Sequence, residues 1–232
     1  GGTVSGLTGT GLVLQDNGGS DLTVSASGAF TFATRVASGA AYSVTVKRQP
    51  SSPSQSCAVT SGAGTVGAAA VTTVVVTCTT STFAVGGTVS GLAGAGLVLQ
   101  NSGGDDLAVS ASGAFAFATR VRSGGAYAVT VKSQPTTPSQ VCTVTAGSGA
   151  VTSADITSVA VSCTTNRYAV RGTVTGLAGT GLALANGADV LPVSANGAFV
   201  FPTPVASGST FAVTVSTQRR PTQRCRLSRP AS

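Results

Sequence analysis

Apolar residues occupy every second position in short runs along this chain. Tyr42, Val44 and Val46 alternate with Ser43 and Thr45, and Tyr127, Val129 and Val131 repeat the pattern 85 residues later. Period-two alternation puts one set of side chains on each face of a strand, so these runs predict half-buried β-structure. Residues 82–166 give the fullest example, with strands expected over 83–92, 96–100, 106–110, 114–118, 126–132, 142–145 and 156–163. Phe115 and Phe117 share a face, as period two requires. Turn-forming stretches separate the runs: 101–106 (Asn-Ser-Gly-Gly-Asp-Asp), 111–113, and a segment holding Pro135 and Pro138. About seven short strands per unit predict an all-β fold of two-sheet sandwiches of immunoglobulin-like size.

The pattern is tandem. Gly2-Thr-Val-Ser-Gly-Leu7 returns as Gly87-Thr-Val-Ser-Gly-Leu92 and as Gly172-Thr-Val-Thr-Gly-Leu177, with a spacing of 85 residues each time. Solenoid repeats usually run ~20–45 residues and propeller blades ~40–50, so a unit this long predicts a small domain per copy. The expected domains are 1–81, 82–166 and 167–232, the last incomplete at its C-terminal side. Only four residues separate Cys78 from Phe83, and four separate Cys163 from Tyr168. Linkers this short predict a semi-rigid rod of domains.

Composition narrows the class. The chain is 42% hydrophobic with 31 Gly and 8% charged residues, and the phased Val-rich alternation argues against disorder. The net charge of +7 is concentrated at one end, because Arg219, Arg220, Arg224, Arg226 and Arg229 supply five of the 13 basic residues. The repeated body is close to neutral and carries no basic stripe, so nucleic acid is not an expected partner. No run reaches the ~18–20 apolar residues of a membrane helix, so the chain is not expected to span a membrane. The chain opens inside a repeat at Gly1-Gly2, as expected of a processed product or a segment of a longer chain.

Cysteine placement points to an oxidising compartment. Cys57 and Cys78 stand 21 apart, as do Cys142 and Cys163, and both pairs keep the 85-residue phase. A pair repeated within a small β unit, in a chain with no His, predicts disulfides Cys57–Cys78 and Cys142–Cys163 rather than a zinc site. Cys225 matches Cys57 and Cys142 in context, but its partner would fall beyond Ser232, so it is expected to be unpaired and open to intermolecular disulfide formation.

Gly-Thr-Val-Ser-Gly-Leu, Leu-Val-Leu, Val-Ser-Ala-Ser-Gly-Ala-Phe-Ala-Phe and Gly-Gly-Ala-Tyr-Ala-Val-Thr-Val in the second copy resemble prealbumin-like sandwich modules. These are the carboxypeptidase-regulatory-like and Cna-B-like domains of bacterial surface proteins. The whole unit with its cysteine pair is similar to tandem Ig-like repeats of exported bacterial proteins. The resemblance implies a sandwich fold and a secreted or cell-surface setting, but no activity. Cna-B-like modules carry an isopeptide-forming lysine in the first strand; residues 83–92 contain none, so that bond is not expected here.

Candidate chemistry is sparse. Without His or Glu, the usual nucleophilic triads and the commonest general base are missing. A Ser–Lys arrangement would have to use Lys47 or Lys132, and the third copy has Ser216 at the matching position. No catalytic residue and no cofactor is therefore expected. The sharpest ligand candidate is a Ca²⁺ site in the acidic turns, built on Asp16 and Asp21 in the first copy and Asp105 and Asp106 in the second. Such Asn, Asp and Gly clusters also suit turns needing positive φ. The third copy, 186–189, is one residue shorter and offers a single carboxylate.

The expected role is a non-enzymatic stalk, display spacer or adhesive segment of an exported bacterial surface protein. Its expected partners are other protein domains, copies of itself or cell-surface glycans. Two alternatives stand beside it. One is a filament subunit whose incomplete third repeat accepts a neighbour's strand. The other is a carbohydrate- or Ca²⁺-dependent adhesin. The loss of Val/Thr alternation after Cys225 also suits a truncated or frame-disturbed product.

Overall fold

The computed structural model describes residues 1–218 and 225–227. All regular structure among them is β, distributed over several sheets, an architecture compatible with β-sandwiches. Repeat one contains β1 (Gly2–Ser5), β2 (Leu12–Asp16), β3 (Ser20–Val24), β4 (Gly28–Phe30), β5 (Ala41–Arg48), β6 (Gln55–Thr60), β7 (Ala63–Thr65) and β8 (Val74–Thr80). They form two four-stranded sheets, β4-β1-β8-β6 and β3-β2-β5-β7. The β1–β8 pair is parallel, and its neighbours in the first sheet are antiparallel.

Repeat two contains β9 (Thr82–Phe83), β10 (Val85–Ser90), β11 (Leu97–Asn101), β12 (Asp105–Val109), β13 (Gly113–Ala116), β14 (Val121–Arg122), β15 (Ala126–Ser133), β16 (Gln140–Thr145), β17 (Ser148–Ala150) and β18 (Ile156–Thr165). Its sheets, β13-β10-β18-β16 and β12-β11-β15-β17, keep the order seen in repeat one, and a short β9–β14 pair is added. Repeat three contains β19 (Arg167–Tyr168), β20 (Arg171–Val174), β21 (Leu182–Asn186), β22 (Asp189–Val193), β23 (Gly197–Val200), β24 (Val205–Ala206) and β25 (Val213–Thr217). There, β20 pairs β23, β19 pairs β24, and β22-β21-β25 forms a three-stranded sheet.

Alternation becomes packing in each copy. In repeat one, Val4, Val74 and Val76 from one sheet meet Leu12, Leu14 and Val44 from the other in a single apolar cluster. Val89, Val159 and Val161 meet Leu97, Leu99 and Val129 in repeat two. A smaller cluster around Val170, Leu182, Leu184 and Phe201 serves repeat three. Burying each such side chain contributes about 1.5–3 kcal/mol, which is what lets sheets this short hold. The Phe pairs meet edge to face, with centroids 5.8 Å apart for Phe30–Phe32 and 5.9 Å for Phe115–Phe117.

Cys57 lies opposite Cys78 across β6 and β8, and Cys142 opposite Cys163 across β16 and β18; both pairs are disulfide-bonded. Closing loops of this length contributes about 3 kcal/mol per bridge by restricting the unfolded chain. Cys225 is half-buried against the third cluster, with no disulfide partner among the described residues. Of the five arginines near that end, Arg219, Arg220, Arg224 and Arg229 lie outside the described residues.

The structure departs from the sequence expectation in two places. The run expected as one strand over 83–92 breaks at Ala84, where the chain leaves β14 and joins β13 and β18. Two short strands without apolar alternation, β7 and β17, complete the second sheet of repeats one and two.

Candidate functional site

The acidic turns are held together by the protein's own donors. Asp16 is buried, and its Oδ1 accepts the Ser43 N–H at 3.0 Å. Asn101 does the same for Ala128 at 3.0 Å, and Asn186 for Ala212 at 3.2 Å. Asp16 therefore occupies a position at which a neutral amide serves equally well. Asp105 accepts the Thr119 N–H at 3.1 Å. Asp21 accepts from Lys47 and Gln15, and Asp106 from Lys132 and Gln100. These donors, the lysine ammonium first, hold both carboxyls below the ordinary Asp value. Among the described residues, no group of three or more His, Cys, Asp or Glu side chains comes together as a metal-binding set.

Lys47 and Lys132 are thus ion-paired on the surface, each with its own acid two strands away. Neither is joined to a serine in the hydrogen bonding of the described residues, so the only lysines of the chain serve the faces of β5 and β15.

A different set of residues is repeated in both sequence and space. At the junction of repeats one and two, the Ser54 N–H donates to Ser123 Oγ at 2.8 Å. Ser81 N–H donates to the Ser54 carbonyl at 3.0 Å, and Ser123 N–H to the Ser81 carbonyl at 2.8 Å. The next junction repeats each link: Ser139 N–H to Ser207 Oγ at 2.9 Å, Asn166 N–H to the Ser139 carbonyl at 3.0 Å, and Ser207 N–H to the Asn166 carbonyl at 2.7 Å. Ser54 and Ser139 follow Pro53 and Pro138, both of which are preceded by cis peptide bonds. The proline loop of one repeat thereby seats on a serine turn of the next, with the linker residue bonded to both.

The proline loop is itself anchored from inside. Gln140 is almost fully buried; its Oε1 accepts the Ala93 and Gly94 N–H groups at 2.8 and 2.7 Å, and its Nε2 donates to the Gly91 carbonyl at 2.8 Å and Thr165 Oγ1 at 3.1 Å. Gln55 makes the matching four bonds to Thr8, Gly9, Gly6 and Thr80. A second glutamine guards the sheet edge: Gln134 Oε1 accepts the Cys142 N–H at 2.8 Å, and its Nε2 returns a bond to the Cys142 carbonyl at 3.0 Å. Gln49 does the same at Cys57. An edge strand so capped offers fewer free backbone groups to a foreign strand.

Sequence reasoning found the cysteines and located the acidic turns, but not the serine junction or the glutamine clamps. One signal was present: Gln55, Cys57 and Val59 alternate in phase, which marks Gln55 as inward-facing. Neither a protein-family model nor a curated protein sequence matches the chain.

Proposed function

We infer that this chain is a non-enzymatic structural segment, a stalk or display spacer built from tandem Ig-like or prealbumin-like sandwich domains over 1–81, 82–166 and 167–232. The observation that carries the reading is the junction, whose three backbone and serine links recur at both boundaries. A joint repeated in this way gives each domain the same seat on its predecessor, which is what a spacer of fixed reach requires. Two disulfides and the absence, among the described residues, of a helix long and apolar enough to cross a membrane are in keeping with an extracytoplasmic setting. The resemblance to repeats of exported bacterial proteins supports the cell-surface or secreted assignment, with other protein domains, further copies or glycans as partners. Small-angle X-ray scattering of the intact chain tests the reading. An elongated, rigid particle is expected; a compact globule or a broad flexible ensemble would count against it.

A further inference from the structure

Repeat two is entered and left through neighbouring strands. The chain comes in from the first junction at Ser81, passes through β9 into β10, and leaves along β18 to the second junction at Asn166. β10 and β18 are parallel, with Gly87, Thr88, Val89 and Ser90 opposite Val159, Ala160, Val161 and Ser162. Both strands start at the end where the chain arrives from repeat one. A pull on the two flanking repeats therefore draws β10 backwards and β18 forwards along the same line. In that direction the ladder is sheared, and its evenly spaced bonds share the load and must give together. A pull across the strands would instead open it one bond at a time. Repeat one contains the same pair, with β1 parallel to β8 and Thr3, Val4 and Ser5 opposite Val75, Val76 and Thr77.

Two further features sit on this line. The inward side chains of the paired strands, Val85, Val89, Val159 and Val161, are all buried in the second apolar cluster, which keeps water from one side of the ladder. Cys163 lies on β18 just before the exit and is bonded to Cys142 on the edge strand β16. Tension carried to Cys163 passes through the bridge into β16, and the residues between 142 and 163 lie outside the covalent path. Ser139, shortly before Cys142, accepts the Asn166 N–H and donates to Ser207 Oγ. The bridge and the hydrogen-bonded junction thus converge where repeat two meets repeat three.

We propose that these repeats are load-bearing. Tension along the chain is resisted in shear by the β10–β18 pair, with β1–β8 as its counterpart, and each disulfide limits how far a yielded repeat lengthens. The function this adds is that of a tether held under tension between two bodies. It rests on the spacer reading but asks for more, because a rod can hold its length unloaded and still unzip when pulled.

The test holds the full chain by its two ends in a force clamp and, in a second preparation, by handles on Ala114 and Thr145. These exposed residues lie on one row of the same sheet, Ala114–Thr88–Ala160–Thr145, so the second pull runs across the strands. At equal force, the disulfide-bearing repeats pulled end to end are expected to outlast the cross-strand pull by about tenfold or more, since lifetimes under load report the unfolding barrier in that direction. Equal lifetimes, or longer ones across the strands, would overturn the proposal. Thiol reduction is expected to lengthen the end-to-end step of each of these repeats by roughly 70 Å, the reach of the 21-residue separation it releases. An unchanged step would remove the bridge from the load path. A rigid rod in solution that yields equally in both directions would leave the spacer reading standing and take load bearing away from it.

Discussion

Ser54 donates its backbone N–H to the hydroxyl oxygen of Ser123, 69 residues further along the chain, at 2.8 Å. That hydroxyl in turn donates to the Thr152 carbonyl, so one buried side chain ties the proline loop of repeat one to two segments of repeat two. Ser123→Ala removes the acceptor of one N–H and the donor to one carbonyl. Leaving such groups unsatisfied costs about 1–3 kcal/mol. The variant is expected to speed amide exchange at Ser54 and to loosen the junction, broadening the scattering profile of the intact chain. Ser38→Ala provides the contrast, since Ser38 at the matching position of repeat one is exposed and donates to the Gly67 carbonyl; its effect on melting is expected within about 0.5 kcal/mol. Equal losses from the two variants would refute a special role for the junction.

Gln140 is the polar residue on which the second repeat depends most. All four hydrogen-bonding positions of its amide are used, two of them accepting adjacent backbone N–H groups. Gln140→Ala strands those groups in a buried setting and opens space beside the proline loop. A loss of about 3–4 kcal/mol is expected in chemical denaturation, from several unmet hydrogen bonds acting together. Gln140→Glu keeps both acceptors but sets a carboxylate against the Gly91 carbonyl, so it should rescue only part of that loss. A loss below about 1 kcal/mol for the alanine variant would show that water replaces the amide.

The contrast between Gln140 and Cys142 shows what was legible in the sequence. Both face inward on β16, but the cysteine announces its role through a partner at fixed spacing, while the alternation that turns the glutamine inward names no partner for its amide. Its role emerges only when the 91–94 turn is brought over it, 46 or more residues away in sequence. Val44, Val129 and the Phe pairs were readable because alternation alone sets which face they occupy. Strands β7 and β17 were not, because Ala63–Thr65 and Ser148–Ala150 carry no apolar period and exist as partners of β5 and β15. The break at Ala84 was hidden for a related reason. Phe83 and Val85 both alternate correctly, and only the competing pairing with β14 separates them. The acidic turns were located correctly, but whether a carboxylate there meets an ion or a backbone N–H depends on the neighbouring strand, which composition does not reveal.

The lysine pairs give a pH dependence with a definite sign. Asp21 and Asp106 have folded pKa values below the ordinary Asp value, first because Lys47 and Lys132 donate to them and then because Gln15 and Gln100 do. A carboxyl whose pKa is depressed on folding contributes its stabilisation above the unfolded value of about 3.9, and loses it as pH falls through the depressed folded value. Stability is therefore expected to be level from neutral pH down to about 5 and to decline only below about 4, the more so because the chain has no His to titrate between. Both pairs are exposed, so the decline should be shallow and weaken with added salt. Lys47→Met should return the Asp21 carboxyl toward its ordinary value in an NMR titration while leaving Asp106 unchanged; no movement of Asp21 would remove the ion pair as the cause.

The glycine that opens each Gly-Thr-Val motif has a steric role that differs between copies. A Cβ built on Gly87 would lie 1.7 Å from the Val159 carbonyl oxygen, and one on Gly2 would lie 1.9 Å from that of Val74. In both cases the obstacle is the backbone of the parallel neighbour, β18 or β8, which cannot move without breaking the sheet. Gly172 differs: its Cβ would first meet the tip of the Phe199 ring at 2.7 Å, a side chain that can turn aside. Gly87→Ala is expected to cost about 3 kcal/mol or more by forcing apart strands that frame the second core. Gly172→Ala, resolved by ring movement, should cost about 1 kcal/mol. Denaturant melts of the two variants, with amide exchange on β10 and β20, provide the comparison. If both substitutions cost the same, close approach of the parallel strand is not what holds glycine at this position.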